Sequence, residues 1–289
     1  MFQGVFPEVL KLGIVTPIFK NGSKTTCNNY RPITINPIFG KIFEYVIYRR
    51  FQTHLDNNSI IHKNQFGYVR KSNCEIAVTH VLNDIYGFVD ERKTVSLTCI
   101  DLSKAFDCIQ FNILIQKLRK LALDPFFLNL LISYIYGRKQ AVSIDGNLSE
   151  FLIINVGSPQ GGVLSGPFFD LYINSVFNLK LNGNLYLYCD DMSIVNFGND
   201  TKEMKANIEQ DLMLIHKWLS NHFLSPNAKK TQYVLFQGRK RFESFTERAL
   251  NISFNGTTIE RSENIKLLGL IIDEQLTFKC NVDEIKKRI

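Results

Sequence analysis

The sequence predicts an α+β protein built as an antiparallel sheet covered by helices. Apolar residues recur at three-four spacing in long segments, and the period falls to two in short ones. Glycine-bearing dipeptides join some short segments directly into hairpins, which argues against a doubly wound parallel sheet.

Residues 1 to about 36 are rich in Gly, Pro, Asn and Thr and predict irregular structure. Ile42, Phe43, Val46, Ile47, Phe51 and Leu55 then mark one helix, and Ala77, Val81, Ile85 and Phe88 a second. Val95, Leu97 and Cys99 alternate with Ser96 and Thr98, predicting a strand that delivers Asp101 at its C-terminal end. Helices follow at 114–123 and 126–136. Segments 141–144 and 151–156 read as strands around the Asp145-Gly146 turn. Segments 185–187 and 194–197 flank a tight turn holding Cys189, Asp190 and Asp191. Met204, Ile208, Ile215 and Leu219 line one side of a long helix, with Asp200 and Glu203 spaced as a capping box. Strands at 233–236, 252–254 and 267–272 close the pattern, the middle one turning at Asn255-Gly256.

With 289 residues, 45% hydrophobic and 21% charged, the chain can bury one large core or two modest ones, so disorder is excluded as the default. A net charge of +7 leans toward a polyanionic partner, yet is modest for a processive nucleic-acid enzyme. The six cysteines form no C-x-x-C pair and the five histidines lack ligand spacing, which argues against zinc. Unpaired thiols point to a reducing, intracellular compartment. Residues 1–13 lack the order of a signal peptide. The most apolar stretch, Phe126 to Tyr136, is interrupted by Asn129 and Ser133 and falls short of the about 20 residues a bilayer demands, so no membrane partner is expected.

Asp101 at a strand end, facing a hairpin tip with Asp190 and Asp191, suits nucleotidyl transfer. Two divalent ions about 3.5–4 Å apart can activate an attacking hydroxyl and stabilise departing pyrophosphate. Magnesium takes oxygen ligands and needs only one or two carboxylates plus substrate phosphates. Each piece is weak alone, because an Asp pair in a turn caps its own backbone and a strand-end Asp often caps a helix.

Order strengthens the reading. Asp101-Leu-Ser-Lys-Ala-Phe-Asp107 precedes Gly157-Ser-Pro-Gln-Gly-Gly-Val-Leu-Ser165 with Leu171-Tyr-Ile-Asn174, and then Tyr188-Cys-Asp-Asp191. Leu224-Ser-Pro-Asn-Ala-Lys-Lys-Thr231 and Leu267-Leu-Gly-Leu-Ile-Ile-Asp273 follow. Together they resemble the reverse transcriptase domain of non-LTR retrotransposons, jockey-like elements included, over nearly the whole chain.

That resemblance implies a right-hand polymerase. Fingers would span 1–94, the palm's first-motif strand 95–113, and a fingers/palm connection 114–150. The rest of the palm, with catalytic and primer-grip-like hairpins, would span 151–273, leaving 274–289 as the truncated start of a thumb. The implied activity is RNA-directed DNA synthesis, in which dNTPs extend a DNA primer on an RNA template. Two Mg2+ ions are implied, with Mn2+ able to substitute. Asp101 and Asp190 would be the principal metal ligands and Asp191 a contributor to ion or field. Lys230 would protonate pyrophosphate, with Lys229 competing, while Asp107 reads as a salt-bridge or cap partner.

The dNTP would meet Lys20 as a point charge and Arg31 as a planar fork. Phe106 would form a wall against a ribose 2′-hydroxyl, and Gln160 with Gly161 would lie beside the nascent base pair. Template and primer contacts fall on Gln65, Gly67, Arg70 and Lys71, and on Leu268 and Gly269 of the primer-grip segment. Aromatic and basic residues interleaved at 65–72 suit stacking on bases and contacting phosphates.

Some positions depart from the family pattern. Cys189 replaces an alanine, Gly166-Pro-Phe-Phe169 a Pro-Leu-Leu-Phe, and Pro226 a leucine. An endonuclease segment and a thumb are expected in the parent element, and the nucleus is the family expectation for location. Rival readings are an inactive remnant that still binds RNA or primer-template, a group II intron maturase-type enzyme, and a nucleotide cyclase.

Overall fold

The computed structural model describes residues 4–158, 161–236 and 250–287. Contacts divide the chain into two compact units, Met1–Ile61 with Lys104–Ile173 and His62–Ser103 with Asn174–Ile289. The chain thus changes unit after residues 61, 103 and 173.

The first unit opens with β1 (Leu12–Phe19), β2 (Tyr30–Ile35) and α1 (Ile38–Asn57). The second contributes α2 (Cys74–Asp90), β3 (Thr94–Ile100) and β4 (Leu102–Ser103). Back in the first come α3 (Phe111–Arg119), α4 (Pro125–Ile135), β5 (Lys139–Ile144), β6 (Asn147–Leu148), β7 (Leu152–Ile153) and α5 (Ser165–Ile173). The second unit resumes with β8 (Asn184–Tyr188), β9 (Asp191–Gly198), α6 (Thr201–Asn221), β10 (Ser225–Pro226) and β11 (Gln232–Phe236). It closes with β12 (Ser253–Phe254), β13 (Thr257–Thr258), β14 (Glu260–Arg261), β15 (Asn264–Leu267), β16 (Leu270–Asp273) and α7 (Lys279–Lys286).

The irregular start expected from composition is instead an antiparallel β1–β2 pair. Runs of β-branched residues carry the pairing, and Pro17 lies opposite Pro32 at a pair whose nitrogens face away from each other, so the β1–β2 ladder loses no hydrogen bond to them. Helix α1 forms as expected and buries Ile47, Phe51 and Leu55 of the expected face, with Glu44 in place of Ile42 and Val46. Gly40, Glu44, Ile47, Phe51 and Leu55 are buried, while Ile42 and Val46 are 57% and 48% exposed. The Glu44 carboxylate takes a core position because it accepts a 2.8 Å bond from the Val163 amide, and burial pushes its pKa up.

The first unit's sheet runs β2-β1-β5-β6, with β7 also on β5. Strands β1 and β5 are parallel, so the sheet is mixed rather than wholly antiparallel. Asp145 and Gly146, both at positive φ, form the two-residue turn expected there. The strand across that turn is β6, however, and β7 meets β5 farther back, at Lys139↔Ile153.

The second unit's sheet runs β14-β11-β3-β9-β8 and is antiparallel except at β11–β14. Val95, Leu97, Val195 and Val234 pack with Val81 and Ile85 of α2 on one face. On the other, Asn196 donates to the Asp211 carboxylate of α6 at 2.6 Å. Ser96 and Thr98, which alternate with the apolar set, are therefore buried too. Each fully buried aliphatic contributes about 1.5–3 kcal/mol. Helix α6 buries Met204, Ile208, Ile215 and Leu219 as expected, and Asp200 caps it by accepting from the Glu203 amide at 2.8 Å. Residues 267–272, read as one strand, form the β15–β16 hairpin around Leu268 and Gly269. Burial alone would raise the Asp273 carboxyl, but bonds from Thr277, Phe278 and Gln275 together hold it below the usual range and anchor the start of α7.

Candidate active site

Strand β3 ends one residue before Asp101, and the 2.8 Å bond from the Asn227 amide to the Asp101 carbonyl pins that backbone. The antiparallel register of β3 with β9 ends at Ile100↔Met192, so its next rung sets Asp101 opposite Asp191. Tyr188 pairs with Asp191 across a two-residue hairpin loop of Cys189 and Asp190. Cys189 holds a φ of 56°, an unusual conformation for a side chain bearing a Cβ. All three acids thus come from one end of one sheet.

Crowding has an electrostatic consequence. The Asp191 carboxyl is pushed above the ordinary range, first by desolvation and then by the charges of Asp190 and Asp101. Lys230 enters from the turn after β10, where the Lys230 and Thr231 amides both donate to Asn227 O at 3.0 Å. Its Nζ stands 3.9 Å from Asp101 Oδ2, an exposed pair worth little to stability. A cleft of ≈ 220 Å³ opens here, lined by Asp101, Asp191, Tyr188, Lys230, Lys266 and Leu268, among others. Leu268 is thereby brought to the site, and Gly269 beside it holds a φ of 98° at the hairpin turn. Lys266 escaped the sequence reading, although its alternation with buried Ile265 and Leu267 points it away from the core.

The donors suit a hard divalent cation, since all are carboxylate oxygens and a cation would relieve their repulsion. Among the described residues no three acidic, histidine or cysteine side chains form a ready-made cage. Open sites completed by substrate phosphates are the usual arrangement for magnesium.

The 65–72 segment divides in two. Arg70 and Lys71 are exposed. Gln65 is only 2% exposed and accepts from the Gly67 amide at 3.1 Å, and Gly67 is buried as well. Both side-chain positions therefore face the interior of the second unit.

The remaining expected residues lie in the first unit. Lys20 follows β1, its amide bonded to Asn29 O at 2.9 Å, and Arg31 is exposed on β2. Phe106 stacks on Phe169 with centroids 4.5 Å apart, and its carbonyl accepts from the Ser158 amide at 2.9 Å. Asp107 presses its carbonyl on Gly157, where a Cβ would lie 2.9 Å away. Gly161, at φ +108°, leaves only 2.7 Å between a Cβ and Thr34 O, so its close neighbour is β2. Gln160 lies outside the described residues.

In fold the chain shares the polymerase architecture of telomerases. It superposes on apo telomerase from Candida tropicalis, truncated from its C-terminal domain, with TM-score 0.61 and 13% identity, covering 95% of this chain and 55% of that one. Candida albicans telomerase in complex with a fragment of telomeric RNA gives 0.58 at 13% identity, covering 93% and 45%. Residues 18–272 match the family described as reverse transcriptase (RNA-dependent DNA polymerase), and the chain belongs to that family. It is 26% identical to the RNA-directed DNA polymerase from mobile element jockey of Drosophila funebris, over 98% of this chain and 31% of that protein. The probable RNA-directed DNA polymerase from transposon X-element of Drosophila melanogaster gives the same identity and coverage. The chain thus spans about a third of these relatives. No helix among the described residues is long and apolar enough to cross a membrane.

Proposed function

We propose that this chain carries out RNA-directed DNA synthesis within a non-LTR retroelement, by two-metal nucleotidyl transfer. The observation that carries the reading is the register setting Asp101 opposite Asp191, beside the turn that holds Asp190. Bound Mg2+, or Mn2+ in its place, would neutralise the triphosphate and acidify the primer 3′-hydroxyl. Asp101 and Asp190 would hold the ions, and Asp191 would contribute to an ion or to the local field. The primer hydroxyl gives its proton to solvent water and its oxygen bonds to the α-phosphorus as the bond to pyrophosphate breaks, and Lys230, released from Asp101, supplies a proton to the leaving oxygen.

Lys20 and Arg31 grip the triphosphate, Phe106 excludes a 2′-hydroxyl, and Gln160 with Gly161 sits against the nascent pair. Arg70 and Lys71 take template phosphates, while Leu268 and Gly269 face the primer. We assign the fingers role to residues 1–94 and the palm role to residues 95–113 and 151–273. Chromosomal priming by the retroelement would place the activity in the nucleus.

The test is extension of oligo(dT) on poly(rA) with dTTP and Mg2+ or Mn2+. Asp101→Asn and Asp190→Asn, folded by circular dichroism, should each lower the rate at least about a hundredfold. Retained activity in either would remove that residue from the site. Template binding without extension by the unaltered chain would favour a non-catalytic remnant.

A further inference from the structure

The segment from His62 to Gly67 runs beside β8, the strand that leads into the Cys189–Asp190 turn. The Leu187 amide donates to Asn64 O at 2.9 Å, and the Phe66 amide donates to Leu187 O at 2.8 Å. Asn64 Nδ2 reaches Leu185 O at 3.0 Å, and Gln65 bridges to Leu187 in parallel. At the end of this seam Gly67 rests directly on the turn. A Cβ added there would overlap the Cys189 backbone nitrogen and Sγ, and would lie 2.9 Å from its Cα. Gly67 has ordinary backbone angles, so space rather than conformation demands glycine.

We propose that residues 64–67 are a strap that fixes the aim of Asp190, with Gly67 as a positioning residue acting through Cys189. The proposal rests on Asp190 as a metal ligand in polymerisation. It replaces template contact as the role of Gly67. A turn whose leading residue holds positive φ has little intrinsic preference for its conformation, and contact from outside supplies it. The same seam occupies the outer hydrogen-bonding groups of Leu187, so strap and hairpin move together.

The experiment substitutes Gly67→Ala and follows primer extension, primer–template affinity, and iodoacetamide labelling of Cys189 by peptide mass spectrometry. Displacement of the turn should lower kcat at least about tenfold with primer–template Kd little changed. Labelling of Cys189 should quicken by about fivefold as the cover lifts. Cys189→Gly added to Gly67→Ala removes Sγ from the overlap and suits the positive φ, so it should return part of the lost kcat. Unchanged kcat and labelling would overturn the strap, as would weakened template affinity with kcat intact. Labelling needs no substrate, so it still decides the strap if the unaltered chain extends no primer and the polymerase reading fails. Should Gly67→Ala not fold, Asn64→Ala loosens the same seam, and unchanged labelling there would also overturn it.

Discussion

The sheet of the second unit is buried on both faces by α2 and α6, whereas that of the first leaves Ile14, Ile18, Ile33 and Ile35 between 37% and 56% exposed on one face. Cross-strand pairing puts those four isoleucines on the same side. A sheet clamped from both sides holds strand ends to a fraction of an ångström, and that is where the three acids sit. The half-covered sheet carries its cations, Lys20 and Arg31, on an open hairpin. Under the proposed function the contrast would be a division of labour, with chemistry on the doubly covered sheet and capture on the half-covered one.

Stability offers the sharpest way to break that comparison. Leu97→Ala, in the doubly covered sheet, should cost about 2–5 kcal/mol in urea unfolding. Ile35→Ala should cost less than about 0.5 kcal/mol. Equal costs would mean the exposed face is covered in solution.

Phe106→Ala should raise ribonucleotide use relative to deoxynucleotide by about tenfold or more, along with a small loss of stability from the Phe169 stack. An unchanged ratio would make Phe106 a packing residue alone. Arg31→Ala should raise the dNTP KM by about tenfold with the thermal midpoint unmoved. A lowered midpoint with KM intact would reverse that assignment.

The smallest effect concerns Asp191. Its folded pKa lies above the unfolded value near 3.8, so the folded state binds the proton more tightly. Stability therefore falls as pH rises through the window between the two values, and the full penalty applies at neutral pH. In metal-free buffer Asp191→Asn should stabilise the protein by no more than about 1 kcal/mol, given its exposure to solvent. The gain should vanish well below pH 3.8. Destabilisation at neutral pH would sink the crowding account.

What was legible in the sequence depended on how local the cause was. Helix α2 was readable from its apolar face, and α6 from an apolar face and a capping box written within one turn of it. The Asp145-Gly146 and Asn255-Gly256 turns announced themselves through residues that tolerate positive φ. Leu268 did not, because leucine at φ 48° is held there by its hairpin rather than by preference. The β1–β2 pair hid behind Pro17 and Pro32, which look like breakers until they are seen opposite one another. Only the N-terminal part of the α1 face was misread, since an acid in the core is intelligible only through its partner, Val163, far away in sequence. In the candidate site, Asp101, Asp190 and Asp191 were marked by motif order. The burial of Gln65 and Gly67 was invisible because it follows from pairing with β8.

One consequence of the covered β8 edge is colloidal. The strap closes part of that margin to any stray strand, so self-association of this chain should begin elsewhere. One open margin is β2, where Ile33 and Ile35 lie exposed. Pro32 denies a donor to an incoming strand there and Arg31 adds a repelling charge. The residue that disguised the hairpin in the sequence is thus the one that guards it against aggregation.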